Sequence, residues 1–158
     1  MVYHTKETSY VQGNIEMHRI ETSIEIYRYV GDVFDFVADP SNMPKWAPGY
    51  LAGEWVTKLP IRIGSKQKRV TNFGGGDRET IHVVTQFKKN SVIALSAITG
   101  PLVIEEIIET EKTSLGTSVV IAEEITAPLL LKPVEWIFAA MAKKNISAFS
   151  ESLKKTLE

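Results

Sequence analysis

The sequence predicts an α+β fold in which a curved antiparallel sheet of about six to seven strands wraps around a long C-terminal α-helix. Apolar and polar residues alternate from Ile20 to Ile26, as in a half-buried strand. Turn residues then recur roughly every 10–14 residues between positions 50 and 126, which favours antiparallel strands over parallel strands joined by helices. After Pro128 the apolar residues follow a helical period, and a long amphipathic helix needs a broad apolar partner such as this sheet.

The composition fits one globular domain and excludes several functions. A chain of 158 residues is long enough to bury a core that holds a cavity. Its 18 basic and 19 acidic residues give a net charge of −1, which argues against a protein that coats nucleic acid. Because cysteine is absent, the chain has no disulfide, no thiolate metal site and no cysteine nucleophile.

The sequence shows no sign of membrane insertion. No apolar run approaches the roughly 20 residues that span a bilayer, and the longest, Trp136 to Ala142, ends at Lys143. The N-terminus lacks the basic-then-apolar order of a signal peptide. We therefore expect a cytoplasmic protein whose partners include neither a membrane nor a nucleic acid.

The N-terminal residues 1–16 show no clear periodicity and are predicted to form an extension of the domain. Three interpretations stay open: a flexible segment, an added edge segment of the sheet, or residues added by cloning. The remaining residues, 17–158, are predicted to form a single domain that begins with the strand ending at Ile26.

Two short helices are predicted after the first strand. An apolar side indicates the first helix, which ends at Asp39-Pro40 because proline disfavours a helical residue before it. The second helix extends to Trp46, and Pro48-Gly49 ends it. The apolar side of the first helix consists of Val33, Phe34, Phe36 and Val37.

The central region is predicted to be a meander of strands separated by turns. Glycine, proline and asparagine mark five turns, at 59–64, 72–77, 88–91, 100–101 and 112–116. The second turn contains Gly74-Gly75-Gly76, which lacks the pattern of a phosphate-binding loop and does not open a helix. The orientation of Trp55, before the first of these turns, cannot be decided from alternation.

The C-terminal run predicts a helix of about 25 residues, with Pro133 in its first turn and no breaker before Leu157. Asn145 and Ser152 fall near the middle of its apolar stripe. One interpretation is that they contact a ligand or water. The interpretation that we favour is that the second half of the helix is partly exposed, or that its buried face turns toward Ile146, Leu153 and Leu157. Trp136 falls opposite the stripe, where it packs under the N-terminal segment or is exposed to a partner. The stripe itself consists of Val134, Ile137, Phe138, Met141, Ala148 and Phe149.

Two pairs of adjacent glutamates lie in the last two predicted strands. Neighbours on a strand point to opposite faces, and the apolar companions select Glu106 and Glu123 as the inward members. A four-residue loop from Thr113 to Gly116 places these two directly opposite each other. Two facing carboxyls in an apolar cavity cannot both ionise easily, so one pKa should rise, as suits a general acid or base or a ligand anchor. Alternatively a bulge turns one outward, the pair lies at a rim, or an arginine, Arg69 or Arg78, neutralises it.

The three histidines do not form a recognisable metal site. His4 and His18 lie at the N-terminal end of the chain, and His82 alternates with Ile81 and Val83, which predicts that it points to the outer face. Their spacing matches no ligand motif. We therefore predict no metal and no other cofactor.

This order of elements resembles the helix-grip fold of the Bet v 1-like (SRPBCC) superfamily, in particular its START-like polyketide cyclase/dehydrase and lipid-transport branch. The local similarity is strongest over 33–42, VFDFVADPSN, and continues through Pro44, Trp46 and Pro48-Gly49. The turns at 64–65 and 116–119 also resemble those of the family. The resemblance covers 17–157 and implies a START-like ligand-binding domain. It is specific for fold and weak for function, because this superfamily supports many functions.

The resemblance implies an apolar cavity between the sheet and the C-terminal helix. It implies that the cavity binds a small hydrophobic or amphipathic ligand of lipid, polyketide or aromatic type, in a monomer or homodimer. The first alternative is a cyclase or dehydratase acting there on a polyketide-like substrate, with Glu106 and Glu123 as candidate catalytic residues. The second is a protein-interaction or regulatory module that uses Trp136 and the outer face of the sheet. The candidate ligand-binding residues are Trp46, Phe73, Phe87, Glu106, Glu123, Phe138, Met141 and Asn145.

Overall fold

An eight-stranded antiparallel sheet curves around one long helix. In this computed structural model, residues 4–158 are described, except for the side chains of Lys132, Val134 and Glu135. The candidate stripe residue Val134 is therefore outside the described side chains. The strands are β1 (His4–Gln12), β2 (Ile15–Ile26), β3 (Tyr50–Trp55), β4 (Lys66–Thr71), β5 (Arg78–Lys88), β6 (Val92–Thr99), β7 (Leu102–Lys112) and β8 (Thr117–Pro128). The α-helices are α1 (Val30–Ala38), α2 (Met43–Trp46) and α3 (Lys132–Leu157).

The order of strands across the sheet is β1-β2-β8-β7-β6-β5-β4-β3. The last strand, β8, returns to pair with β2 along its whole length, from Ile15↔Pro128 to Ile26↔Thr117. The other neighbouring strands are successive in the chain and form a meander, as expected for antiparallel pairs joined by short turns. The predicted α+β helix-grip architecture is confirmed.

The strand count predicted from the sequence was too low, because the described chain forms eight strands rather than six or seven. The segment without recognisable periodicity contains β1, which pairs with β2 from His4↔Ser23 to Gln12↔Ile15. Nearly every residue of β1 is exposed, so no alternation of buried and exposed positions marks it in the sequence.

The two short helices lie at the positions that the sequence predicts. Helix α1 buries Val33, Phe34 and Val37, and it ends where Asp39 accepts a hydrogen bond from the backbone N–H of Ser41. A turn of 3₁₀ helix, Pro40–Asn42, leads into α2. This segment packs on β3, where Gly53 lies so close to the backbone of Pro40 that there is no room for a Cβ atom.

Helix α3 has 26 residues, with Pro133 in its first turn, as predicted. It packs chiefly against β2 and β8. Its buried residues include Ile146, Leu153 and Leu157, which confirms that its inner face turns toward them. Trp136 is 69% exposed. None of the helices in the described part of the chain has the length and apolar character to cross a membrane.

Candidate functional site

A cavity of about 510 Å³ lies between the inner face of the sheet and α3. Most of its wall is apolar and includes Leu102, Ile104, Ile125, Phe138, Met141 and Phe149. Exposed residues of the turn between β4 and β5 border it as well, among them Phe73 and the three consecutive glycines. Pockets of this size and composition are typical of sites for small molecules.

The cavity is lined by the polar residues Thr71, Arg78, Thr80 and Thr99. Four further polar side chains form what we call the polar end of the cavity. It comprises Tyr50 from β3, His82 from β5, Glu106 from β7 and Glu123 from β8. Asn145 of α3 also lines the cavity, although it is only partly buried. A ligand in the cavity therefore meets apolar walls and a few hydrogen-bonding groups.

The two inward glutamates lie where the sequence predicts them. Glu106 and Glu123 are paired across β7 and β8, and both line the cavity. The register is regular from Val103↔Thr126 to Lys112↔Thr117, so no bulge turns either side chain outward. Directly opposed side chains in an antiparallel pair have Cβ atoms about 5 Å apart, which brings the two carboxyls into strong electrostatic contact.

Glu106 is neutralised by Arg69 of β4. The Arg69 Nη1 donates to Glu106 Oε2, and the hydroxyl of Tyr50 donates to Glu106 Oε1 at 2.7 Å. Burial by itself would raise the pKa of Glu106, but the adjacent guanidinium and these hydrogen bonds lower it to about 2. Glu106 is therefore a carboxylate at any physiological pH, with both oxygens already bonded.

Arg69 makes further contacts behind this carboxylate. Its Nε donates to Gln67 Oε1 at 3.0 Å, and Gln67 Nε2 donates to the carbonyl oxygen of Ala38 at 3.4 Å. Its guanidinium carbon lies 5.6 Å from the ring centroid of Tyr50. Burial disfavours its charge, yet the pKa of Arg69 is raised because Glu106 stabilises the guanidinium. A charge that is 3% exposed needs such a counterion.

Glu123, in contrast to Glu106, is protonated at neutral pH. Burial, and after it the charge of Glu106, raise its pKa to about 8, so the carboxyl is mostly protonated at neutral pH. The structure shows no hydrogen bond or ion pair from its side chain to another described residue. The pair therefore presents a neutral carboxyl beside a carboxylate. Such a carboxyl can donate a proton or a hydrogen bond to a bound molecule.

The prediction that His82 points outward is wrong. His82 is 6% exposed and lines the cavity, whereas its neighbour Ile81 is 48% exposed. Apolar content does not identify the inner face of β5, because that face carries polar side chains, Thr80 and His82, where it borders the cavity. Burial, followed by the charge of Arg69, lowers the pKa of His82 to about 4, so the ring is neutral. Its Nε2 lies 3.0 Å from Thr80 Oγ1.

Six of the eight candidate ligand-binding residues line the cavity and two do not. Trp46 is buried in the core with its ring centroid 6.2 Å from that of Phe149. Phe87 packs against Phe34, with ring centroids 6.0 Å apart. The six that line the cavity are Phe73, Glu106, Glu123, Phe138, Met141 and Asn145.

Tyr50 is a cavity residue that the sequence analysis did not identify. Burial, and after it the carboxylate of Glu106, raise its pKa well above the ordinary value, so it stays a neutral donor. Tyr50 begins the strand just after Pro48-Gly49. A tyrosine at the start of a strand next to the two short helices was the feature of the sequence that could have identified it. Trp55, on the same strand, packs against the hydrophobic core and is partly buried.

Comparison with protein families gives one match over most of the chain. A family model described as polyketide cyclase / dehydrase and lipid transport matches residues 17–158. No protein with curated annotation matches this sequence.

Solved structures show the same fold at low sequence identity. The protein TTHA0849 of Thermus thermophilus has a TM-score of 0.71 and 12% identity, over 88% of this chain and 96% of that one. Ara h 8.0201 has a TM-score of 0.61 and 13% identity, over 88% of this chain and 99% of that one. The di-domain ARO/CYC protein BexL from the BE-7585A biosynthetic pathway has a TM-score of 0.68 and 15% identity, over 86% of this chain and 46% of that one.

Proposed function

The chain belongs to the polyketide cyclase / dehydrase and lipid transport family, and from this premise we propose that it binds a small hydrophobic or amphipathic molecule reversibly in its internal cavity. The observation that carries this proposal is the cavity of about 510 Å³ between the sheet and α3, with apolar walls and one polar end. A ligand gains affinity from apolar burial, while the polar end selects its functional groups and its orientation.

The wall composition supports binding over a purely structural void. A void within a packed core costs stability, and protein interiors contain few empty spaces larger than a water molecule. Polar groups that face a cavity also need partners, which a ligand or water supplies. A lipid, an aromatic molecule or a polyketide-like molecule fits these walls.

A filled-cavity variant tests the proposal. Ala97 is on β6, is 6% exposed and lines the cavity, so Ala97→Phe should occupy part of the space. Its neighbour Ile98 is 76% exposed on the opposite face, so Ile98→Phe is the matched control. The probe is N-phenyl-1-naphthylamine, a neutral dye that becomes fluorescent in apolar sites.

We expect saturable binding at one site, at least about tenfold weaker in Ala97→Phe and within about twofold of wild type in Ile98→Phe. Equal binding by both variants, with circular dichroism showing that both are folded, would place the dye elsewhere and contradict the proposal. Native mass spectrometry of protein purified from its own host then identifies the natural ligand by its mass.

A second candidate function is favoured by one observation, the opposed carboxyls with pKa values of about 2 and 8. A cyclase- or dehydratase-type enzyme acting on a polyketide-like substrate needs a group that exchanges protons near neutral pH, and Glu123 has that property. The assay is exchange of the C–H protons of 1-phenylbutane-1,3-dione with D₂O, followed by NMR. Catalysed exchange that is lost in Glu123→Gln supports the enzyme. Exchange at the uncatalysed rate, or equal in wild type and variant, excludes a role for this carboxyl in that chemistry.

A further inference from the structure

The polar end of the cavity has one more carboxyl than it has cations. Glu106 and Glu123 face each other across β7 and β8, and Arg69 forms an ion pair with Glu106 only. Both oxygens of Glu106 are already bonded, one to Arg69 and one to Tyr50. The Glu123 carboxyl has no such partner within the described residues, and it lines the cavity.

Arg78 of β5 lines the same cavity, but its side chain is exposed, and the pKa of Glu123 is set by burial and by Glu106. The other groups around Glu123 supply no second positive charge. Ile20, its partner on β2, is apolar, and its other partner is Glu106 on β7. Across the cavity, His82 is a neutral histidine and Tyr50 a neutral phenol, while the charge of Arg69 is neutralised by Glu106. Helix α3 contributes the amide of Asn145 to the cavity wall, and its Lys143 and Lys144 are exposed.

We propose that the preferred ligand of this cavity carries a basic amine, whose ammonium group lies between Glu123 and Glu106 while its apolar body contacts the walls. This inference rests on the proposed ligand-binding function and names the chemical class of the ligand. An ammonium group supplies a positive charge that stabilises Glu123 in its ionised form, and up to three hydrogen-bond donors. An apolar ligand leaves the charge balance unchanged, and an anionic ligand head group in this position meets a second negative charge.

Binding of the ammonium group is coupled to release of one proton. With the cavity empty, Glu123 keeps its proton because it is buried beside Glu106. When the ammonium group enters, the O–H bond of Glu123 breaks, the proton leaves to solvent, and a carboxylate–ammonium pair remains. The ligand keeps its own protons and no bond to carbon changes. The affinity for an amine should therefore rise with pH up to about 8 and then level off.

A metal ion is a poorer match for the Glu123 carboxyl. Among the described residues, no group of three or more histidine or acidic side chains is placed to hold a metal ion. One carboxylate of the pair is already occupied by Arg69. A singly charged organic cation balances the remaining carboxylate without further ligands.

An isosteric pair of probes tests the inference: 2-(1-naphthyl)ethylamine and 2-(1-naphthyl)ethanol. Both have the same fluorescent ring, and they differ only in the amine or hydroxyl group. We expect the affinity for the amine to increase about fiftyfold between pH 6 and pH 8, since only ionised Glu123 pairs with it. The affinity for the alcohol should change less than about threefold over the same range.

Two variants assign the effect to one side chain. Glu123→Gln keeps the shape but cannot ionise, so at pH 8 it should bind the amine at least about thirtyfold more weakly and the alcohol nearly as well as wild type. The control is Glu124→Gln on the next residue, which points outward and accepts from Arg19 Nη1 at 2.8 Å. The control should retain the affinity of wild type for both probes and the same pH dependence.

The outcomes separate the two proposals. If neither the two probes nor N-phenyl-1-naphthylamine binds, the proposed ligand-binding function fails. If the alcohol binds as well as the amine at pH 8, or if Glu123→Gln keeps the preference for the amine, the ligand-binding function stands and the inference about the amine is overturned. A preference of at least tenfold for the amine, lost only in Glu123→Gln, supports it.

Discussion

Glu106 and Glu123 are Cα partners on adjacent strands, yet their carboxyls ionise on opposite sides of neutrality, with pKa values of about 2 and about 8. The difference arises because Arg69 bonds to one of them and leaves the other without a cation. The same asymmetry makes the free energy of unfolding depend on pH. Substitution of either glutamate tests its part in that dependence.

The first prediction is that stability falls as the pH rises from 6.5 to 8. The pKa of Glu123 is about 8 in the folded chain and about 4.5 when unfolded. Its contribution to the free energy of unfolding is therefore complete below pH 4.5 and is lost as the pH rises toward 8. The pKa of His82 is about 4 in the folded chain and 6.5 when unfolded. Its contribution to the free energy of unfolding therefore rises between pH 4 and pH 6.5, where it offsets the loss from Glu123. Above pH 6.5 the loss of about 1 kcal/mol per pH unit is due to Glu123.

Urea unfolding followed by circular dichroism between pH 4.5 and 8.5 measures this dependence. Glu123→Gln should have no decline above pH 6.5 and, below it, a stability that increases with pH because only the effect of His82 remains. Glu124→Gln should decline as wild type does. A wild-type protein equally stable at pH 6.5 and pH 8 contradicts the raised pKa of Glu123.

The second prediction concerns the buried ion pair. Glu106→Gln leaves the guanidinium of Arg69, which is 3% exposed, without its counterion. At pH 6 the free energy of unfolding should fall by about 3 kcal/mol. Urea unfolding measures the loss, and Glu124→Gln, which removes the partner of the more exposed Arg19, should lose less than about 1 kcal/mol.

A second substitution tests the cause of that loss. Adding Arg69→Met to Glu106→Gln removes the unpaired charge, so the double variant should be more stable than Glu106→Gln alone. If the double variant is the less stable of the two, the destabilisation comes from lost packing of the carboxyl rather than from the isolated guanidinium.

The third prediction concerns the contact between β3 and the helix pair. A Cβ at Gly53 would lie 2.3 Å from the carbonyl oxygen of Pro40, and a backbone atom cannot move aside as a side chain can. Gly53→Ala should therefore lower the free energy of unfolding by about 2 kcal/mol or more. The control is Gly75→Ala, where the nearest atom, on the Arg78 side chain, is 3.5 Å from the added Cβ. Thermal unfolding that shows equal losses in both variants would mean that the segment of Pro40 adjusts freely.

The register of the glutamate pair could be predicted from the sequence because the length of a hairpin loop determines which residues of its two strands are paired. Thr113 to Gly116 is the whole loop between β7 and β8, so the four-residue count gives the partner of Glu106. Helix α3 could also be predicted, because Pro133 and a long run without helix-breaking residues are local features of the sequence.

Other features depend on contacts that are distant in sequence. Arg69 was one of two candidate arginines, and only the folded sheet shows that it, rather than Arg78, bonds to Glu106. The hydroxyl of Tyr50 lies 56 residues before the carboxylate that it contacts. The orientation of His82 was mispredicted for a different reason: the wall of a cavity need not be apolar, so apolar content does not identify the inner face of β5.

Strand β1 covers the edge that β2 would otherwise form in the sheet. The family model begins at residue 17, so β1 precedes the matched region, and it pairs with the outer side of β2 along nine residues. Without it, β2 would present a row of unpaired N–H and C=O groups, which is a template for another copy of the chain to join. An exposed strand with many polar side chains is a better outer boundary than β2, whose alternate side chains are buried. The segment with the weakest pattern in the sequence thus covers β2, and β1 is the strand at this edge of the sheet.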